Sequence, residues 1–321
     1  MGQFELLEKI QLILRKGGFS ISRFCLVKPR CFDLVARRDD ITLLLKAFYN
    51  IDALKYHSAR EMKLIAKLLE ANPIVVGEKS RESRLERGVV YSRHSIPIVN
   101  LATFYDFFLR GIYPMVYSAP GGYYVSLHGE LMREIRRQKN ISLGELAKKV
   151  GVSRRTIKKY EEGMDATVET ALRLEEVLDT YLIKAIDVLS FMVDEEFEEP
   201  DEDLSVFDEK EKEIAESLMD IGFDVYPTPA APFDAISRDN SGESTILTGF
   251  KDNPKAIEKR ARIIGSISKV TEKKAAYIVE DPSEKSVEGT IFIKKEDLSS
   301  VSSPKDFLAL LDELLSTEND I

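Results

Sequence analysis

The chain has 321 residues, of which 44% are hydrophobic and 31% charged, a composition typical of a folded protein with two or three domains. No apolar run approaches the roughly 18–20 residues that cross a bilayer, and the first residues lack the profile of a signal peptide, so we expect a cytoplasmic protein. Two cysteines, Cys25 and Cys31, are too few for a disulfide framework and lack zinc-ligand spacing. We therefore expect no metal site, and no nucleotide-binding signature predicts a cofactor.

The net charge of −9 is distributed unevenly along the chain. Residues 131–163 hold ten basic and four acidic residues, whereas residues 194–213 hold twelve acidic residues and two lysines. Phosphate groups respond to the local field rather than to the mean charge. A basic module that binds nucleic acid is therefore compatible with an acidic chain.

Four segments follow one another in the sequence. Residues 1–122 mix helical and strand patterns and form a predicted α/β domain that ends in turn residues. Residues 127–192 are predicted to be almost entirely helical, and their last part, Tyr181–Met192, to complete this helical domain or form a dimer contact. Residues 193–206 have the composition of a solvated acidic linker. Residues 207–318 return to mixed helix and strand, a second α/β domain.

The two α/β segments resemble one another, which indicates an internal duplication. Each begins with a helix that ends at a glycine, and each continues with a strand that carries an aspartate, Asp33 or Asp234. A capping box formed by Ser58 and Glu61 is predicted to open the next helix of the first copy, and Pro254 lies near the start of its counterpart. The matched pairs of segments are Phe4–Lys16 with Glu209–Met219, Phe32–Ala36 with Phe233–Ser237, Leu43–Phe48 with Ile246–Phe250, Ile74–Val76 with Tyr277–Val279, Gly88–Tyr91 with Gly289–Phe292, and Leu101–Leu109 with Pro304–Leu315.

The central segment contains signals for four short helices. Ser142 and Glu145 form a capping box at the start of the second helix, and Gly151 permits a tight turn after it. Ser153 is a cap for the third helix, which Gly163 ends, and Thr167 is a cap for the fourth. The inner side of the fourth helix is predicted to carry Ala171, Leu172, Leu174, Val177 and Leu178.

This segment resembles the Cro/CI (XRE) family of helix-turn-helix repressor domains over some fifty residues. The match includes a small residue in the second helix, glycine in the turn, a hydroxyl cap and an apolar pair in the third helix. The most specific part is Leu146-Ala147-x-x-Val150-Gly151-Val152-Ser153-x-x-Thr156-Ile157-x-x-Tyr160-Glu161-x-Gly163. Leu143 departs from the family, because that position often carries a phosphate-binding glutamine.

The resemblance implies that the third helix lies in the major groove of duplex DNA. Arg154, Arg155 and Lys159 then fall at base-reading positions, where arginine can pair with guanine. Lys148, Ser153 and Lys158 fall at positions that contact phosphate, and Thr156 completes the predicted DNA-binding set. A salt bridge between Arg136 and Glu161 is a further implication.

The α/β segments are similar to the PD-(D/E)xK nuclease fold. That chemistry requires Asp33, a second carboxylate two residues before Lys46, and a divalent metal. Leu44 occupies the carboxylate position, and in the second copy Thr248 is expected in place of the lysine and Ile246 in place of the carboxylate. A degenerate nuclease-like pair, with neither site complete, is therefore expected.

The whole chain resembles the HTH-type transcriptional regulators of archaea. We expect an α+β multidomain protein with a central all-α helix-turn-helix bundle between two related α/β domains. Its predicted function is sequence-specific binding of double-stranded DNA, as a homodimer and without enzymatic activity. The alternatives are a metal-dependent DNA nuclease or resolvase, and a protein-interaction module that does not bind DNA. The sequence identifies no operator and no effector.

Overall fold

The computed structural model describes residues 2–191, 203–242, 244–251, 254–282 and 284–316. Most of the predicted acidic linker, residues 193–206, lies outside this range. Internal contacts divide the chain into two compact units, one made of residues 1–48, 53–74 and 195–321, the other of residues 49–52 and 75–194. None of the described helices is long and apolar enough to cross a membrane.

The N-terminal part of the first unit begins with helix α1 (Gln3–Lys16), whose buried face carries leucine and isoleucine. Strands β1 (Ser20–Ile21), β2 (Leu34–Arg38) and β3 (Ile41–Asn50) follow, with β1 and β3 each antiparallel to β2. Helix α2 (Tyr56–Leu68) comes next. The predicted capping box is wrong, because α2 begins two residues before Ser58 and its N-cap, Lys55, makes no side-chain cap. The carboxylate of Glu61 instead accepts a hydrogen bond from the backbone of Ala230.

The C-terminal part of the first unit is the second copy of the predicted repeat. Its helices are α8 (Glu209–Ile221), α9 (Pro254–Thr271) and α10 (Pro304–Ser316). Six strands form one sheet in the order β10-β11-β12-β13-β15-β14. Their bounds are β10 (Phe223–Pro227), β11 (Ala235–Asp239), β12 (Thr245–Gly249), β13 (Lys274–Val279), β14 (Ser286–Val287) and β15 (Thr290–Lys294). Apolar side chains of α8, α10 and the sheet close a buried core.

The second unit joins a small sheet to a helical bundle. Strand β4 (Asn72–Lys79) enters it at Val75, pairs in parallel with β6 (Ile96–Val99), and β5 (Val89–Arg93) is antiparallel to β6. After helix α3 (Leu101–Arg110), the hairpin of β7 (Val116–Ala119) and β8 (Gly122–Val125) extends the sheet beyond β5. The helices of the bundle are α4 (Gly129–Gln138), α5 (Leu143–Val150), α6 (Arg154–Glu161) and α7 (Val168–Leu178), with the short strand β9 (Ala166–Thr167) between the last two.

The two α/β copies have the same series of elements and pairings. In each, a helix precedes two antiparallel strand pairs, a second helix leads to a strand that pairs in parallel, and a hairpin and a third helix follow. The predicted mixed α/β fold is confirmed. Residues 75–122, however, are grouped with the helical bundle, because β8 pairs with β9 and joins the two parts through one sheet.

The alignment of the second copy was wrong by one residue. The backbone N–H of Asp33 donates to Leu45, and that of Asp234 donates to Thr248, so these two acceptors are equivalent. Gly249, not Thr248, therefore corresponds to Lys46, and Leu247, not Ile246, takes the carboxylate position. The acceptor lies 12 residues after the aspartate in the first copy and 14 residues after it in the second, so the second copy has two additional residues in the connection between these strands.

The end of the predicted helical segment also differs from expectation. Helix α7 ends at Leu178, where Asp179 adopts a left-handed backbone conformation with φ 48°. The following residues are not helical as far as Phe191, the last described residue there. Leu182 is fully buried against the bundle and Ile183 forms a β-bridge with Leu127, so this segment closes the bundle as extended chain.

Candidate nucleic-acid interface

The caps that delimit the helices of the bundle form as predicted. The hydroxyl of Ser142 accepts from the backbone of Glu145, whose carboxylate accepts in turn from Ser142, completing the capping box. These hydrogen bonds from the Ser142 backbone and hydroxyl hold the pKa of Glu145 below its ordinary value. The hydroxyls of Ser153 and Thr167 each accept from the backbone N–H three residues later, at the starts of α6 and α7. Gly151 ends α5 with φ 81°, the left-handed conformation that favours glycine.

The buried side of the bundle follows the predicted pattern with one exception. Leu146, Val150, Ile157 and Leu174 lie in a common core. Leu172 was predicted on the inner side but is 54% exposed, because residue 172 projects from the opposite side of α7 to its buried neighbours. The prediction failed because α7 carries leucine on both its buried and its exposed side, so that residue type alone does not show which side faces the core.

A buried salt bridge ties α4 to α6. Nε of Arg136 lies 2.6 Å from Oε1 of Glu161 and a second guanidinium nitrogen 3.2 Å from Oε2. Arg136 also donates to the carbonyl of Ile141, and Arg133 reaches Glu161 at 3.4 Å. The predicted Arg136–Glu161 pair is thus present, and its two-point geometry fixes the angle of α6 against α4.

The predicted DNA-binding residues lie together on α6 and the end of α5. Lys148, Arg154, Arg155 and Lys159 are exposed, and within the described ranges none of the four forms a salt bridge. Lys158 is exposed too, but its ammonium lies 3.6 Å from Glu162. The N-terminal half of α6 therefore presents uncompensated positive charge to the surroundings.

Two members of the set have local partners. The hydroxyl of Ser153 accepts from the backbone N–H of Thr156 at 3.0 Å, and the two hydroxyls lie 2.8 Å apart. Thr156 is half-buried. Both residues thus fix the start of α6, and only Ser153 keeps an exposed side chain for a further contact.

Two residues that position α6 were missed by the sequence reasoning. A Cβ atom at Gly129 would lie 2.5 Å from the carbonyl oxygen of Tyr160, so only glycine lets α4 approach the end of α6 so closely. Arg173 of α7 donates to the carbonyl of Val150 beside the turn, at 3.3 Å, and to Glu169 at 2.6 Å. A glycine at the first position of a helix was the one available signal. Nothing local indicates the role of Arg173.

The β7–β8 hairpin also supports the bundle. Strand β8 pairs with β9, which follows α6 directly, and the hydroxyl of Tyr117 donates to Asp165 at 2.6 Å. The pKa of Tyr117 is raised, mainly by the partial burial of its hydroxyl and secondly by this hydrogen bond to Asp165. The chain after α6 is therefore fixed on both sides, by β8 and by the start of α7.

The nuclease-like position of the first unit is occupied by an internal ion pair. One oxygen of Asp33 lies 2.7 Å from Nε of Arg30 and 3.1 Å from Nζ of Lys46, and the other accepts from the backbone of Ala47. Leu44 is buried in the core where a second carboxylate would be required. The described residues include no group of three or more His, Cys, Asp or Glu able to hold a metal ion. This donor set does not fit the metal of a PD-(D/E)xK nuclease.

Comparisons with known protein families give one match to the helix-turn-helix bundle and one to the N-terminal α/β copy. A family model described as a helix-turn-helix matches residues 132–183, and one described as a PD-(D/E)XK superfamily domain matches residues 3–114. No solved structure matches the chain significantly.

Relatives match over nearly their whole length. A protein of Archaeoglobus fulgidus is 52% identical over 96% of this chain and 97% of its own. A protein of Methanosarcina mazei is 42% identical over 97% and 98%, and one of Natronomonas pharaonis is 39% identical over 98% and 99%. All three bear the name "Putative HTH-type transcriptional regulatory protein".

Proposed function

Because this chain belongs to the family of HTH-type transcriptional regulatory proteins, we propose that it regulates transcription by reading duplex DNA with helix α6. In this proposal α6 enters the major groove with its N-terminal half toward the base edges. Arg154, Arg155 and Lys159 read bases there, and Lys148, Ser153 and Lys158 contact the phosphate backbone. Thr156 acts through Ser153, whose orientation it fixes.

The observation that carries the proposal is the exposed, unpaired charge on a rigidly held helix. Bringing a flexible side chain to a base edge costs conformational entropy, and a mobile helix would add to that cost. Here the caps, the Gly151 turn and the buried Arg136–Glu161 pair hold α6 before DNA arrives. The arginines and the lysine that would read bases have no internal partner to give up, as far as the described residues extend.

Homodimerisation and a cytoplasmic location stay predictions of the sequence. A helix-turn-helix of this kind that forms a two-fold dimer would read two half-sites about 34 Å apart on one face of the duplex. Occupancy of such a site near a promoter would be the regulatory event. Analytical ultracentrifugation with and without DNA would measure the stoichiometry.

The proposal assigns no nuclease activity to the α/β copies. Both oxygens of Asp33 are bound by groups of the chain itself, and leucine stands where the second carboxylate is needed. Cleavage of duplex DNA that depends on Mg²⁺ or Mn²⁺ and is lost in Asp33→Asn would contradict this part of the proposal.

Selection of bound duplexes from a random pool tests the DNA-reading function. The purified full chain is used at about 150 mM salt, where nonspecific phosphate attraction is weak. We expect enrichment of one motif, partly palindromic if the protein is a dimer. A folded, monodisperse protein that enriches no sequence would overturn the proposal and favour a protein-interaction module.

The Arg155→Ala variant tests the orientation of α6. It should weaken binding to the selected site by about 1–3 kcal/mol and relax the preference at one base pair. Lys210→Ala, which removes one positive charge from α8, is the matched control and should leave the motif unchanged. Equal weakening of Arg155→Ala on every sequence would mean that Arg155 contacts phosphate.

A further inference from the structure

The turn between β4 and β5 is a second exposed basic feature of the unit that contains the bundle. Residues 79–84, here called the basic loop, hold Lys79, Arg81 and Arg84 and one acidic residue, Glu82. Both arginines are exposed, and neither forms an ion pair in the part of the chain that the structure describes. The neighbouring Arg87 is different, because it is paired with Asp106 at 2.5 Å.

The basic loop is held in shape by its own backbone. Ser80 donates to the carbonyl of Ser83 at 2.8 Å, and its hydroxyl accepts from Glu82 and Ser83. Lys79 and Arg84 form an isolated β-bridge that closes the loop. The backbone N–H of Arg81 donates to Asp52 at 2.6 Å, which ties the tip to the end of β3. These hydrogen bonds fix the backbone from which the exposed cations extend.

The same loop is connected to the chain that follows the recognition helix. The hydroxyl of Tyr123 in β8 donates to Glu86 at 2.8 Å, immediately after the basic loop. The backbone N–H of Glu86 donates to the hydroxyl of Tyr91 in β5. From β5 the sheet continues through β7 and β8 to β9, three strand spacings or about 14 Å. Strand β5, which follows the basic loop, and strand β9, which follows α6, are therefore closer together than one turn of duplex DNA, about 34 Å.

The two α/β copies differ sharply in charge, although they share a fold. Residues 2–122 hold 19 basic and 12 acidic residues, whereas residues 207–318 hold 15 basic and 23 acidic. The net charge is therefore positive in the copy that carries the basic loop, as it is in the helix-turn-helix, and negative in the second copy. Positively charged surfaces attract the phosphate backbone of nucleic acid without reading sequence.

We propose that the basic loop binds the phosphate backbone of the duplex that α6 reads, outside the base pairs that α6 contacts. Arg81 and Arg84 are the phosphate ligands, and Lys79 adds to the field. The contact would lengthen the bound stretch of DNA and strengthen binding equally on all sequences. It rests on the proposed function, since α6 must first place the protein on DNA.

The test compares Arg81→Ala/Arg84→Ala with the wild type on two duplexes that carry the selected motif. One duplex ends at the motif, and the other extends about two helical turns, roughly 20 base pairs, beyond it on each side. Lys210→Ala/Lys305→Ala removes two exposed positive charges from the acidic copy and is the matched control. Circular dichroism and thermal melting verify that each variant is folded.

We expect the double arginine variant to lose affinity on the long duplex only. Because each phosphate contact adds about 0.9 to the salt slope, wild-type affinity should fall roughly tenfold more than that of the variant between about 50 and 200 mM salt. The selected motif and its base preferences should not change, and the lysine control should match the wild type.

The other possible results contradict either the phosphate contact of the basic loop or the DNA-binding function of α6. Unchanged affinity and salt slope of the arginine variant on the long duplex overturn the phosphate contact while leaving the α6 function intact. Equal losses in the arginine variant and the lysine control also overturn it, since they indicate a long-range effect of net charge. A wild type with no salt-dependent affinity for either duplex overturns the proposed function itself.

Discussion

Each α/β copy contains a buried aspartate, and the cation that is paired with this aspartate differs between the two copies. In the first copy Asp33 is paired with Lys46 of the adjacent strand and with Arg30. In the second copy the lysine position is Gly249, and Asp234 is paired with Arg260 of helix α9 instead, while Nζ of Lys251 lies further away at 3.7 Å. The ring of Tyr277 fills the space beside Gly249.

The buried aspartate and its backbone hydrogen bond are common to the two copies, whereas the paired cation is not. Each aspartate accepts the same backbone hydrogen bond, from Ala47 or Phe250, at the end of its strand. The cation was exchanged while the buried carboxylate stayed, because an unpaired buried charge is more costly than a relocated partner. A structural role in holding the strand end explains both aspartates without any catalytic function.

The largest expected loss of stability follows the removal of the charge of each buried aspartate, and it should differ between the two copies. Asp234→Asn leaves the guanidinium of Arg260 buried without its anion, and among the described residues its Nε already has no hydrogen-bond partner. We expect a loss of about 3–5 kcal/mol in the free energy of unfolding. Asp33→Asn should cost less, because Lys46 keeps its hydrogen bond to the carbonyl of Arg30 and the side chain of Arg30 is partly exposed to solvent. Urea denaturation of both variants measures the difference, and a larger loss for Asp33→Asn would contradict this ranking.

A smaller effect concerns the contact between the copies at Glu61. Burial raises the pKa of Glu61 to about 7, and the hydrogen bond from Ala230 and the charge of Lys251 offset it only in part. The folded protein thus retains a proton that the unfolded chain releases near pH 4.5, so this group destabilises the fold progressively as pH rises from about 4.5 to 7.

Glu61→Gln should remove this pH dependence. Its amide oxygen can still accept from Ala230, so we expect the variant to be about 2–3 kcal/mol more stable than the wild type at pH 8 and equally stable near about pH 4. Thermal denaturation across this pH range gives the measurement. A constant difference between variant and wild type at all pH values would show that Glu61 does not titrate there.

The smallest expected change in stability concerns Gly249, which stands in the second copy at the position of Lys46. A Cβ at position 249 would lie 2.5 Å from a ring carbon of Tyr277, which is fully buried. Gly249→Ala should therefore cost about 1–3 kcal/mol of stability through overpacking. Gly144→Ala is the matched control, since its Cβ would meet no atom closer than 4.0 Å and alanine favours the helix by about 1 kcal/mol. Equal stability changes in the two variants would mean that Tyr277 moves aside at no cost.

The sequence alone determined the parts of the protein that depend on local signals. The caps at Ser142, Ser153 and Thr167 and the left-handed turn at Gly151 lie within a few residues of the helices they delimit. Short-range hydrogen bonds and backbone preferences therefore sufficed to predict the helix-turn-helix and the exposed face of α6. The repeated order of helices and strands was visible for the same reason.

Only the tertiary structure decided which distant groups meet. Two additional residues between Asp234 and the end of β12 changed the spacing to the lysine position, and no local pattern distinguishes Thr248 from Gly249 there. The contact of Glu61 with Ala230 spans 169 residues, and the pairing of β8 with β9 joins residues more than 40 apart. Such contacts depend on how sheets and helices pack, which is a property of the whole fold and not of the residues that surround each group in the chain.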